Sequence, residues 1–263
     1  MGLLSDWWRR RKAARAATAG LFADNWFDAT VARVPRLRRL SAAEQARLRQ
    51  LAREFAADKD IVGARGLEVD TAMRTRIATI GAWPALHLGY AALEGWSQLI
   101  VYAEAFRAQR KERDEKTGVV HEYEQSLAGE AWGAGPVVLS WQDLVDDIDH
   151  PQDRSNVLIH ELAHKIDGLD GAVDGRPPLH PWMSAQRWTA VFAAAFEDLN
   201  ARLDRHEYSA IDPYAAENPE EFFAVTSELH FVAPDLLSGA YPHVAEQLAQ
   251  FYNGKPAAGE ARG

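Results

Sequence analysis

The stretch V-L-I-H-E-L-A-H, from Val157 to His164, carries an H-E-x-x-H motif and predicts the fold around it. Two histidines four residues apart lie on one face of an α-helix, because the helix completes a turn every 3.6 residues. From that face His160 and His164 can bind one metal ion, and zinc accepts imidazole nitrogens readily. Glu161 lies one step off the face, where its carboxylate can act as a general base without binding the metal.

The residues around the motif are apolar. Val157 to Ile159 precede it, Leu162 and Ala163 fill its variable positions, and Ile166 follows it. This pattern is typical of a buried helix beneath a cleft. The alternative is two ordinary histidines with a surface glutamate between them, and it explains neither the apolar neighbours nor the histidine spacing.

The composition limits the possible classes of function. A chain of 263 residues, 47% hydrophobic and 25% charged, can bury a full globular core. A formal net charge of −9 argues against a nucleic-acid or anionic-membrane surface, so we expect no direct nucleic-acid binding. The chain has no cysteine, so any metal must be held by His, Asp or Glu. The lack of cysteine also suits a cytoplasmic protein.

The N-terminal residues M-G-L-L-S-D-W-W-R-R-R-K have no apolar region behind the basic cluster. We therefore expect no secretory signal, and no later segment has the length of a transmembrane helix. Trp7 and Trp8 leave two interpretations open. They can belong to a helix that binds a membrane surface or a partner, or to an arm whose indoles pack on the body of the protein.

The first third of the chain predicts helices. Ser41 with Glu44 forms a capping box that opens a helix through about Asp58. Further helical patterns run from Val69 to Ile80 and from Leu86 to Leu93. The predicted inner face of the first of these helices carries Leu48, Leu51 and Phe55. Residues 1–95 are therefore predicted to form a helical subdomain.

Strand patterns appear next, in Gln98–Tyr102, Gly118–Glu122 and Pro136–Trp141. They predict a small mixed or antiparallel sheet before the motif helix. Gly135 to Leu139 is the candidate edge strand, to which an extended peptide can add through main-chain hydrogen bonds. The alternative is that this strand is central and buried.

Helices dominate again after the motif. A loop from Asp167 to Pro181 is followed by a long amphipathic helix, then by helices that begin at Asn218-Pro219 and at Pro242. The core stripe of the long helix is predicted to contain Trp188, Val191, Phe192, Phe196 and Leu199. We therefore predict an α+β, mostly helical protein, with a metallopeptidase core over residues 96–253 and a disordered tail over 254–263, packed as one compact unit.

A catalytic zinc ion needs a third protein ligand and one open position. In one scheme the ligand lies six residues after the second histidine, which is Asp170 here. Proteins of that type have a glycine midway to break the helix, as in H-E-x-x-H-x-x-G-x-x-H. This chain has Asp167 at that position and Gly168 one residue late, so the scheme fits poorly.

In the other scheme a glutamate arrives from a separate helix. Asn218 and Pro219 are a good N-cap and first helical residue, which puts Glu221 at the third helical position. A glutamate there is explained equally well as a metal ligand and as part of a capping box. The candidate glutamates of this region are Glu217, Glu220, Glu221 and Glu228.

The runs V-L-I-H-E-L-A-H-K-I-D-G and Y-A-A-E-N-P-E-E-F-F-A-V-T-S-E together closely resemble the Mlc titration factor family of bacterial zinc-dependent peptidases. This family is also called the DgsA anti-repressor family, and its catalytic core is similar to that of anthrax lethal factor. The resemblance implies a zincin-like, gluzincin-type domain with one Zn²⁺ per chain. It implies that His160, His164 and Glu221 bind the zinc, with Glu221 seven residues after Tyr214.

The resemblance also implies the chemistry. Glu161 would be the general base in peptide hydrolysis, as in an aminopeptidase or short-peptide hydrolase, and Tyr214 would stabilise the oxyanion. Asp167 is a candidate for orienting a histidine ligand, or for capping the motif helix. Family members are implied to bind the repressor Mlc and so to regulate sugar uptake. The alternative is a repressor-sequestering protein whose peptidase activity is weak or secondary.

The other histidines have no ligand spacing and are interpreted as structural or surface residues. They are His87, His121, His150, His180, His206, His230 and His243.

Overall fold

The computed structural model describes residues 20–104 and 135–254, which form a mostly helical α+β protein with a small sheet. The α-helices of this part of the chain are α1 (Asp24–Arg33), α2 (Pro35–Arg38), α3 (Ala42–Asp58), α4 (Thr71–Gly81), α5 (Ala85–Leu88), α6 (Trp141–Asp149), α7 (Val157–Asp167), α8 (Ala185–Asp204), α9 (Pro219–Val232), α10 (Pro234–Ala240) and α11 (Pro242–Asn253). The strands are β1 (Asp60–Gly63), β2 (Gln98–Tyr102) and β3 (Val137–Ser140). Short 3₁₀ helices span Tyr90–Leu93, Pro151–Asp153, Gly168–Asp170 and Pro213–Ala216.

The predicted capping box is confirmed at the start of α3. The Ser41 side chain accepts a hydrogen bond from the Glu44 N–H, and the Glu44 carboxylate accepts one from the Ser41 N–H at 2.8 Å. The predicted inner face of α3 is buried. The predicted helix from Leu86 to Leu93 is divided into α5 and a 3₁₀ helix at Gly89, where φ is +86° and a regular helix cannot continue.

The sheet differs from the prediction in two ways. First, β1 lies within residues 1–95, for which we predicted a helical subdomain and no strand. Second, β1 pairs with β2 and β2 with β3 in parallel, so the mixed or antiparallel pairing is wrong for the described strands. The chain between β1 and β2 passes through α4 and α5, and such a helical crossover returns a strand in the same direction. The predicted strand Gly118–Glu122 lies outside the described residues.

Strand β3 lies at one edge of the sheet formed by the described strands, whose order is β1-β2-β3. Val137 and Leu139 are buried, whereas Val138 between them is 42% exposed. The edge position predicted for residues 135–139 therefore agrees with this part of the structure. Helix α6 follows at once, because the Ser140 side chain accepts a hydrogen bond from the Asp143 N–H and caps it.

Helix α7, which carries the motif, lies at the centre of the protein. It packs against α9, α4, α6 and β3. The predicted stripe of α8 faces the same core: Trp188, Phe192 and Leu199 are buried, and Val191 and Phe196 pack against them.

One buried apolar cluster includes residues from both sides of residue 95, and the β1–β2 pairing crosses that boundary as well. The division at residue 95 stays a prediction. Trp7, Trp8 and the tail after residue 254 lie outside the described residues. Within residues 20–104 and 135–254, no helix combines the length and apolar character that a membrane span requires.

Candidate metal centre

The two motif histidines lie one turn apart on α7, as predicted. The helix begins where the Asn156 side chain accepts a hydrogen bond from the Ile159 N–H at 3.0 Å. The rings of His160 and His164 have centroids 5.0 Å apart and are only 3% and 4% exposed. Such burial of two imidazoles requires polar partners.

Helix α9 supplies that partner through Glu221. The Asn218 side chain caps α9 by accepting a hydrogen bond from the Glu221 N–H at 2.8 Å. The Glu221 carboxylate faces the histidines: its Oε2 lies 3.1 Å from His160 Nε2 and 3.4 Å from His164 Nε2. The backbone N–H of Glu221 therefore takes part in the helix cap, whereas its carboxylate takes part in the buried group with the histidines.

These three residues form a buried group that can hold a metal ion. One ligand atom from each of His160, His164 and Glu221 lies within 4.8 Å of the others. Two imidazole nitrogens and one carboxylate oxygen are a donor set that divalent transition metals accept. Asp170 is exposed and outside this group, and its carboxylate accepts a hydrogen bond from the Ala172 N–H at 3.2 Å. Among the described residues, the second ligand scheme is the one that the geometry supports.

The charges of the three side chains are in mutual contact. Burial by itself lowers the pKa of His160, but hydrogen bonds to Glu221 and Glu228 outweigh it and raise that pKa to about 10. Burial by itself raises the pKa of Glu221, but the two histidines outweigh it and hold that pKa far below its usual value. A metal ion that binds here replaces the imidazole proton as the positive partner of the carboxylate.

Glu228 has a role that sequence reasoning missed. Its Oε2 lies 3.4 Å from His160 Nδ1, and its Oε1 accepts a hydrogen bond from the Asn156 N–H at 2.5 Å. A carboxylate behind a histidine ligand fixes the ring and its tautomer. Here it turns His160 Nε2 towards Glu221. The signal was available, because Glu228 follows Glu221 by seven residues, which is about two helical turns.

Tyr214 also lies beside the group. Its hydroxyl donates a hydrogen bond to Glu221 Oε1 at 3.0 Å, and its ring centroid lies 6.1 Å from that of His160. The 3₁₀ helix Pro213–Ala216 holds it there, since the Asp212 carboxylate accepts a hydrogen bond from the Tyr214 N–H. Glu161 is half-buried on α7, beside His160 in the chain.

Comparison with known proteins agrees with this geometry. A model of the family "glucose-regulated metallo-peptidase M90" matches residues 5–253. The chain belongs to the M90 metallopeptidase family.

Curated relatives of the chain include proteins named Mlc titration factor A. The protein of Escherichia fergusonii is 36% identical over 233 residues, which cover 88% of this chain and 86% of that protein. The protein of Salmonella arizonae is 35% identical over the same length, with 88% and 91% covered. The M90 model spans both α7 and α9, so all three residues of the metal group lie within the matched region.

Asp167 has a different partner from the predicted histidine. Its Oδ2 accepts a hydrogen bond from the Gly175 N–H at 2.8 Å, and the side chain is fully buried. Burial raises the pKa of Asp167 to about 7, although the Gly175 N–H opposes the shift. The carboxylate thus fastens the end of α7 to the loop that follows it.

Gly175 also lies against the start of α9, the helix that carries Glu221. Its carbonyl accepts a hydrogen bond from Trp188 Nε1 at 3.0 Å. A Cβ atom at Gly175 would lie 2.6 Å from the carbonyl oxygen of Pro219, the first residue of α9. Since Glu221 lies two residues further on, the close approach at Gly175 sets where the carboxylate meets the histidines.

We predict that Gly175→Ala weakens metal binding by about 10-fold or more, because the added methyl group pushes away the first turn of α9. Gly171→Ala is the matched control. Gly171 lies in the same loop with φ +94°, against +80° for Gly175, but its Cβ would meet nothing within 4 Å. Both variants carry similar backbone strain, so metal titration of each separates the clash from the strain. Equal metal affinities in the two variants would contradict this account.

Proposed function

We propose that this M90 protein is a zinc-dependent peptidase with a zincin-like, gluzincin-type site, whose zinc is held by His160, His164 and Glu221. The observation that carries the proposal is the convergence of their three buried ligand atoms. Zinc bonds of about 2.0–2.1 Å in a tetrahedron leave neighbouring ligand atoms about 3.3 Å apart. The two contacts of Glu221 Oε2, at 3.1 Å and 3.4 Å, fit that spacing.

A zinc ion held by these three residues would keep a fourth position for water or substrate, as catalytic zinc sites do. Zinc bound here would supply Lewis acidity that makes water nucleophilic at neutral pH and polarises the scissile carbonyl. Glu161 would take the proton of the attacking water and deliver it to the leaving amine. Its half-buried position next to His160 supports that role, since it is close to the group without belonging to it.

Tyr214 would stabilise the negative charge that develops on the carbonyl oxygen. Its hydroxyl donates a hydrogen bond to Glu221 Oε1, which supports this role because it puts a donor beside the proposed metal ligands. Glu228 would keep the His160 ring in place.

The proposed substrate is a peptide, bound along β3 by main-chain hydrogen bonds as in an aminopeptidase or short-peptide hydrolase. Lys165 supports this placement, because its Nζ donates a hydrogen bond to the Gly135 carbonyl at 2.9 Å. That bond fastens the chain just before β3 to the helix that carries the histidines.

The test is Glu161→Gln, which keeps the size of the side chain but removes the base. We expect zinc content to stay at one per chain and the kcat for a short chromogenic peptide to fall by about 10²- to 10⁴-fold. Asp170→Asn is the control, because Asp170 is exposed and the side-chain carbonyl of the asparagine can still accept the hydrogen bond from the Ala172 N–H. This variant should keep full activity. Full activity in Glu161→Gln would refute the mechanism.

A second function is favoured by the name of the relatives, Mlc titration factor A. We propose that this protein also binds an Mlc-type transcriptional repressor in the cytoplasm and so regulates sugar uptake. The net charge of −9 would favour a basic, DNA-binding partner.

Zinc removal separates the two functions. If the repressor is bound on a surface away from the metal group, calorimetry should give the same dissociation constant, within about 2-fold, for the wild type and for Glu161→Gln, with and without a chelator. Peptidase activity, in contrast, should be lost in Glu161→Gln and in the wild type treated with the chelator. No measurable binding of an Mlc-type repressor would remove this second proposal and leave the peptidase proposal intact.

A further inference from the structure

A cavity of about 260 Å³ lies apart from the metal group. Its walls come from α2, α3, α5, α9 and α11, and none of the residues of the metal group lines it. His230, in its wall, follows Glu221 by nine residues on α9, a distance of about 13 Å along a helix. The cavity is therefore a separate site and not an extension of the peptidase cleft.

The side chains of two arginines in its wall have no hydrogen-bond or ion-pair partner in the part of the chain that the structure describes. Arg36 is half-buried and Arg39 is exposed, and among the described residues neither guanidinium group is engaged in this way. Burial and the neighbouring Arg39 lower the pKa of Arg36, whereas Asp235 opposes them only through space. Two adjacent guanidinium groups repel each other, and an anion between them removes that cost.

The acidic residue of the wall is already engaged. Glu44 accepts hydrogen bonds from the Ser41 backbone and hydroxyl as part of the α3 capping box. Its other carboxylate oxygen lies 3.5 Å from His87 Nε2. Glu44 is thus engaged at the start of α3. Among the described residues that line it, the cavity presents two guanidinium groups and one carboxylate.

Another part of the wall is aromatic. The rings of His230 and Tyr252 stack with centroids 5.4 Å apart and an interplanar angle of 20°. Burial and Arg36 lower the pKa of His230 to about 4, so this imidazole is neutral at neutral pH. Trp83 and Phe231 extend the wall, with ring centroids 5.2 Å apart. A planar or apolar body can pack on this wall while its anionic end meets the arginines.

We propose that this cavity binds a small organic phosphate, with its phosphate on Arg36 and Arg39 and its body against His230 and Tyr252. Guanidinium groups bind phosphate through paired hydrogen bonds, and a doubly charged phosphate matches two cations better than a carboxylate does. The volume of about 260 Å³ admits a ligand with a single ring or a short chain. The proposal does not depend on the peptidase function.

Calorimetry on the zinc-loaded protein tests the proposal with phenyl phosphate as the probe. We expect saturable binding that weakens at least 10-fold in Arg36→Gln. Arg39→Gln should show the same loss, and because Arg39 is exposed this variant tests the site without removing a buried side chain. Arg38→Gln is the matched control, since Arg38 is exposed in the same helix but does not line the cavity; it should change affinity less than 2-fold.

Two further probes test the assigned chemistry. Inorganic phosphate should bind more weakly than phenyl phosphate because it has no ring to stack, and benzoate should bind more weakly because it carries one charge. The dependence on Arg36 and Arg39 also distinguishes this site from an anion bound at zinc. Absence of saturable binding, equal affinity for benzoate, or binding that ignores both arginines would overturn the proposal.

Discussion

The site depends on one contact, in which the carboxylate of Glu221 on α9 meets the two imidazoles of α7. Three ionisable side chains are buried together there, and each would be costly to bury alone. The packing of α7 against α9 makes the contact possible, and the charges then make that packing specific. A metal ion held by these residues would take the place of the imidazole proton as the positive partner of the carboxylate.

Polar groups around the contact fix its geometry from several directions. Glu228 holds the far side of His160, and Asn156 both starts α7 and donates to Glu228. Asn218 starts α9 so that Glu221 falls at its third residue. The Asp167–Gly175 hydrogen bond and the close approach of Gly175 to Pro219 join the end of α7 to the start of α9. The ligand positions are therefore built from helix caps and one glycine, rather than from the motif alone.

Much of this site is predictable from local sequence. Three features follow from the local sequence of a single helix, and the structure agrees with each. They are the histidine spacing, the start of α9 at Asn218-Pro219 and the Ser41 capping box. The residues alone disfavoured Asp170 but did not establish Glu221 as the ligand, because a capping-box glutamate and a metal ligand can share that position. The role of Glu228 behind His160 was missed, although Glu228 was among the candidate glutamates, because His160 lies 68 residues earlier in the chain.

The sheet was harder to predict for physical reasons. Strand β1 has four residues, of which only Ile61 is buried, so it has no clear alternation. Strand direction depends on the crossover between strands and not on the strand residues themselves, which is why the parallel pairing was missed. Likewise, Asp167 bonds to Gly175 because of a loop path that no local rule specifies.

The most direct test of the central claim is the zinc dissociation constant of Glu221→Gln beside that of Glu217→Gln. Glu217 is an exposed glutamate four residues earlier and outside the metal group, so it controls for loss of charge in this segment. The account predicts that Glu221→Gln weakens zinc binding by at least about 100-fold, more than the loss of an outer partner usually does. Glu217→Gln should bind zinc as the wild type does. Equal zinc affinity in the two variants would contradict the claim that Glu221 completes the site.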